Sequence, residues 1–243
     1  MKNSFYTGLA LGFVGIIPFT FNFLVARSFG KEILGSINIT LSFCLIITIF
    51  ITNFFGSAGN KYLAEYRGSR KLEHFQFVFK VMLGTPLIIL SIISILLSCN
   101  WIYFSNKFSL QTDLLIPIII YIFLRSFYIL FRRALYGIDL VKSYTVNEIL
   151  SDLIMLSAIG YVTYNKQSSL LIECYLLSYL IFCLLSTGTL LKRFKSIKIT
   201  LNRNNHFDQR DVMQKFAHYG LVSMIGTVAS TGTGYLSIII IGM

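Results

Sequence analysis

Seven apolar stretches, roughly residues 4–26, 33–57, 76–98, 114–136, 144–164, 169–191 and 216–241, follow one another with short polar connections. About 20 apolar residues cross the hydrocarbon of a bilayer as a helix. Inside lipid every backbone N–H and C=O must be satisfied within the protein, so only helices and closed barrels span. The ten-residue alternation of a barrel strand is nowhere to be found. Charged residues make up 13% of the chain, about half the share of a soluble domain. The expected fold is therefore all-α, a polytopic membrane helical bundle. Its organisation reads as a six-helix N-terminal lobe over 1–191, a basic cytoplasmic linker over 192–215, and a seventh helix over 216–243 that begins a second, truncated lobe.

The formal charge of +11 raises the question of nucleic acid, and the placement of the charges answers it. Lys2, Lys61, Arg67, Arg70, Lys71, Arg132, Arg133, Lys142 and the basic run from Lys192 to Lys215 fall on one side of the alternating loops. Arg27, Lys31, Lys107 and Lys166 fall on the other. By the positive-inside rule the N-terminus is cytoplasmic and the chain is a multi-pass protein of the cell (inner) membrane. Dispersed over several loops, these cations lack the groove of interleaved aromatics that single-strand binding uses, so nucleic acid is not an expected partner. Membrane lipids are, because the basic linker suits an anionic surface. The first apolar run exceeds the 7–15 residues of a signal sequence and precedes no small-residue cleavage site, so it is expected to remain.

Cys44, Cys99, Cys174 and Cys183 have no CxxC spacing, and His74, His206 and His218 are scattered. Neither a metal site nor a cofactor is expected. With no phosphate loop, HExxH or GxSxG, the chain does not read as an enzyme.

One feature resists a purely structural reading. Arg125 lies near the middle of the fourth segment, LLIPIIIYIFLRSFYILFRRALYG, where a guanidinium costs about 2.5–3.5 kcal/mol even on a lenient scale. Tyr121, Arg125, Tyr128 and Arg132 fall at i, i+4, i+7 and i+11, which at 100° per residue puts all four on one helical face. The fifth segment returns across a short loop bearing Glu148 and Asp152 at i and i+4. An antiparallel hairpin sets these near the depths of Arg132 and Arg125. Two readings stand side by side. Arg125 pairs with Asp152 and Arg132 with Glu148 simply to neutralise charge, or Arg125 faces a hydrated cavity and attracts an anion. A carboxylate whose partner can be exchanged for a proton would then serve as a coupling device.

The stretch LVARSFGKEILGSINITLSFCLIITIFITNFFGSAGNKYLAEYRGSRK (24–71) resembles the polysaccharide flippases, the Wzx-like O-antigen and lipid-linked oligosaccharide transporters of the multidrug/oligosaccharidyl-lipid/polysaccharide exporter superfamily. The matching positions are Ala26, Arg27, Gly30 and Gly35, then Gly56 and Gly59 leading into Ala64, Glu65, Tyr66, Arg67 and Gly68. Looser agreement runs through Ala134, Leu135, Gly137 and Glu148 to Lys215 and Phe216. The resemblance implies a transporter of two six-helix lobes enclosing a cavity that opens alternately to each side. It also implies a lipid-linked oligosaccharide as partner; Tyr121, Arg125, Tyr128 and Arg132, which share one helical face, are the expected substrate-binding residues, with Arg125 taking the pyrophosphate. This chain supplies one lobe and the start of another, so a separately encoded second half is an expected partner.

Within the first segment Pro18 removes a backbone hydrogen bond and is a candidate hinge. Gly8-x-x-x-Gly12 has the spacing for close helix approach. Asn38, Thr40, Ser42, Thr48, Thr52 and Asn53 of the second segment either bond neighbouring helices or wet a cavity wall. The small residues of the seventh segment, Gly220 to Gly234, suit packing against a second lobe.

Overall fold

A computed structural model describes residues 2–108, 110–200, 207–232 and 234 of the chain. It is built from α-helices: α1 (Lys2–Phe29), α2 (Lys31–Gly68), α3 (Leu72–Cys99), the short α4 (Trp101–Lys107), α5 (Leu115–Gly137), α6 (Val141–Tyr164), α7 (Leu171–Thr200) and α8 (Gln209–Thr227), the last running into a π-helical turn, Val228–Gly232. No strand occurs among the described residues. Helices α2, α3, α5, α6 and α7 are each long and apolar enough to cross a bilayer, and α1 carries a shorter apolar stretch over Gly15–Phe29. The protein is a membrane protein with an all-helical bundle fold. The seventh segment is described only as far as α8 and its π-helical turn; Arg203, His206 and most of 233–243 lie outside the described residues.

Five helices form a ring. Helix α1 packs on α6, α6 on α7, α7 on α5 and α5 on α2, with a lighter contact between α1 and α2 closing the circle; α3 and α8 lie outside it against α2. The buried stripe of α1, Ala10, Ile17, Phe21 and Val25, has helical spacing and faces inward. Gly8, Gly12 and Gly15 lie on the opposite, exposed face, where an added Cβ would meet nothing within 4 Å. Among the described residues, the close approach expected at Gly8 and Gly12 is therefore not made. Small-residue spacing creates a shallow surface, but here the larger residues of the other face hold the neighbouring helix.

Close approaches occur elsewhere. A Cβ at Gly137 would stand 2.9 Å from the Asn60 carbonyl oxygen of α2, and one at Gly220 would stand 2.9 Å from that of Phe54. Gly220 thus packs α8 onto α2. Gly59 faces the side chain of Met82 on α3. The turns after α2, α5 and α6 share one design. Arg70, Asp139 and Lys166 adopt left-handed φ values of 56°, 60° and 54°. The next N–H then bonds back five residues, from Lys71 to Tyr66, Leu140 to Leu135 and Gln167 to Val162, the pattern that satisfies orphan helix carbonyls.

Two helices outrun their apolar stretches: α2 continues to Gly68 and α7 to Thr200. Much of the polar 192–215 region is accordingly helical, and α8 opens at Asp208, whose carboxylate accepts from the Arg210 and Asp211 N–H groups at 2.9 and 3.3 Å. The α2 extension is fastened to the α5–α6 turn. Arg67 donates to the Ile138 carbonyl and lies 3.4 Å from the Asp139 carboxylate.

Candidate functional site

The ring of α1, α2, α5, α6 and α7 encloses a cavity of about 310 Å³. The polar face of α5 supplies Tyr121, Arg125 and Tyr128 to its wall. Helix α7 adds Tyr175, Ser178 and Tyr179, α6 adds Glu148 and Asp152, and α1 and α2 contribute Pro18, Asn22, Asn38 and Ser42. Residues one or two turns apart on each helix converge because each helix presents the same stripe inward along its length.

Arg125 points into this hollow. Its Nη1 donates to the Tyr179 hydroxyl at 3.0 Å, and its guanidinium carbon lies 5.2 Å from the ring centroids of both Tyr128 and Tyr179. Cation–π contact with two tyrosine faces offsets part of the cost of taking the charge out of water, by about 0.5–2 kcal/mol each. Tyr128 turns its hydroxyl to Glu148 Oε1 and donates to it. Glu148 is 0% exposed and Asp152 7%. The second oxygen of each, Glu148 Oε2 and Asp152 Oδ2, accepts no hydrogen bond from the described residues. Buried acceptors without donors are rare in folded proteins, and in a polar hollow they mark where a donor group of a ligand, or water, can bind.

The remaining expected site residues separate. Arg132 lies outside the cavity wall, stacked 5.3 Å over the ring of Tyr144, and no ion pair joins it to Glu148 among the described residues. Helix α1 passes unbroken through Pro18, which lines the cavity. The polar residues of α2 divide among three spaces, Thr40 lining a separate one with Asp113 and Glu173. Asn38 and Ser42 face the cavity, whereas Thr48, Thr52 and Asn53 line a smaller groove of about 160 Å³ between α2, α5 and the end of α8. Arg125 borders both spaces. All four cysteines are free thiols, three of them buried. His74 is wedged between the rings of Tyr66 and Phe207, each 5.0 Å away.

Two features escaped the sequence reading. Tyr175 and Tyr179 sit at i and i+4 in an apolar helix, a signal that was present in the sixth segment but gained meaning only once α7 was known to face α5. Arg133 was counted as a loop cation, yet it projects from α5 onto α2. There it donates to Ser57 Oγ and, at 2.9 Å, to Asn53 Oδ1.

The chain matches no family model, no curated protein and no solved structure.

Proposed function

We propose that the protein is a polysaccharide flippase of the kind its sequence resembles, moving an undecaprenyl-pyrophosphate-linked oligosaccharide across the cytoplasmic membrane for surface polysaccharide synthesis, by alternating access. The observation that carries the reading is the placement of Arg125. A guanidinium in the middle of an apolar helix long enough to span lines a cavity between five helices, together with two carboxyl groups and four tyrosines. Arginine offers a planar fork of donors to phosphate oxygens. The surrounding wall supports a sugar cargo as well, since tyrosine faces and acid, amide and hydroxyl groups are the chemistry that grips a pyranose ring and its hydroxyls.

The decisive experiment is complementation of a strain lacking its own flippase, with and without a second lobe supplied in trans, scored by surface polysaccharide. Arg125→Ala is expected to abolish complementation while the protein still reaches the membrane. Full surface polysaccharide with that variant would end the reading.

Glu148 and Asp152 favour a second reading. Two carboxylates against one arginine suit a cationic cargo, as in a multidrug exporter of the same fold. Resistance to lipophilic cations that depends on Asp152, without complementation, would select it.

A further inference from the structure

The groove between α2, α5 and α8 is chemically unlike the cavity beside it. Among the residues lining it are two arginines, Arg125 and Arg133, and no Asp or Glu, whereas the cavity wall carries Arg125 together with both carboxylates. An anion entering the cavity meets two acidic groups; in the groove it meets none. At short range in a medium poorer in screening than water, that difference favours the groove for a phosphate.

Arg133 is also held as a binding residue is held. It crosses α2 at Gly56, where an added Cβ would lie 2.6 Å from Arg133 Cδ, so the side chain lies flat along the helix only because position 56 has none. Ser57 and Asn53 then accept from its two terminal nitrogens, Nη1 and Nη2. At ~30 Å³ per water, the groove has room for about five waters, enough for a diphosphate but too small for a diphosphate and a sugar together.

We propose that this groove is an anion subsite in which Arg133 and Arg125 take the phosphate or diphosphate group of a ligand, leaving the tyrosine-lined cavity to the uncharged remainder. The proposal deepens the transport reading and rests on it for the cargo's identity. Arg125, bordering both spaces, is the point at which the two parts of one ligand meet. The same groove chemistry would accept a lipid headgroup or a free diphosphate.

The test is displacement of labelled inorganic pyrophosphate from the full chain in nanodiscs of neutral lipid, by unlabelled pyrophosphate or by farnesyl diphosphate. Wild type is expected to show one saturable site. Arg133→Gln should weaken it at least tenfold, and Arg133→Lys by an intermediate factor. Lys107→Gln, a cation exposed on α4, should leave it within about threefold. Thr227→Glu places a carboxylate in the groove wall while keeping Ser57 and Asn53, the acceptors that hold Arg133, and should weaken binding at least tenfold, while Thr227→Gln retains it. This pair keeps the test sharp if Arg133→Gln fails to fold. Tighter displacement by farnesyl diphosphate assigns the site to a lipid headgroup, and equal displacement assigns it to a free diphosphate.

A lowered unfolding temperature with unchanged affinity in Arg133→Gln would make Arg133 a helix tie and overturn the proposal. So would unaltered binding in Thr227→Glu, or a tenfold tightening in Glu148→Gln with Arg133→Gln inert, which would put the anion in the cavity. Absence of saturable binding to wild type overturns the subsite alone; complementation, which does not use this probe, still decides the transport reading.

Discussion

Replacing Tyr128 with Phe deletes one oxygen from the cavity wall and with it the only donor that reaches the fully buried Glu148 from the described side chains. A hydrogen bond to a charged group is worth about 1.5–3 kcal/mol, and stranding its buried partner adds to the loss. The phenyl ring keeps its packing against Tyr179 and Phe182, at centroid distances of 4.8 and 4.7 Å, so the change isolates the hydroxyl. A destabilisation of about 2–3 kcal/mol is expected, which for a chain of this size lowers the unfolding midpoint by roughly 4–12 °C.

The double-mutant cycle with Glu148→Gln sharpens the measurement. A neutral acceptor returns about half the strength of a charged one, so Tyr128→Phe in the Glu148→Gln background should cost only about 1 kcal/mol, leaving a coupling of about 1–2 kcal/mol. Thermal unfolding in detergent, followed by intrinsic fluorescence or circular dichroism, reads all four corners. A coupling near zero, with Tyr128→Phe as stable as wild type, would refute the claim that this hydroxyl holds the buried carboxylate.

Gly137→Ala is expected to cost about 1–3 kcal/mol, the usual toll of overpacking, because the obstruction is the α2 backbone at Asn60. Gly12→Ala, in open space, should be neutral or stabilising by up to about 1 kcal/mol; a shared unfolding assay in which both behave alike would contradict the packing. Asp208→Ala removes the α8 cap and should lower local stability by about 1 kcal/mol, seen as faster hydrogen exchange at Arg210 and Asp211 with the ring helices unchanged. A membrane-impermeant maleimide should label the exposed Cys99 in whole cells and leave Cys44, Cys174 and Cys183 unmodified. Labelling of Cys99 only after the membrane is breached would reverse the orientation derived from the positive charges.

The helices themselves were legible in the sequence because apolar run length measures hydrocarbon thickness directly. Their ends were not. Residues 58–68 of α2 and 192–200 of α7 are polar enough to leave the bilayer yet remain helical, and hydropathy is silent on helix outside lipid. The α5 face was legible for the same reason in reverse, since periodicity fixes which side chains share a stripe. It could not reveal that Tyr179 would meet Arg125, nor that Arg133 would reach Asn53, because both depend on which helices become neighbours. Gly8 and Gly12 misled for that reason: spacing describes one surface, and packing needs two.

The 38 residues of α2 extend over roughly 57 Å at 1.5 Å per residue, nearly twice the ~30 Å of hydrocarbon it crosses. A rod of that length, clasped by Arg67 at its far tip to the bend joining α5 and α6, acts mechanically as a crank. Turning such a rod by a few degrees about one end would displace the other by several ångströms, at a tip tied to the turn between the two helices that bear Arg125, Glu148 and Asp152.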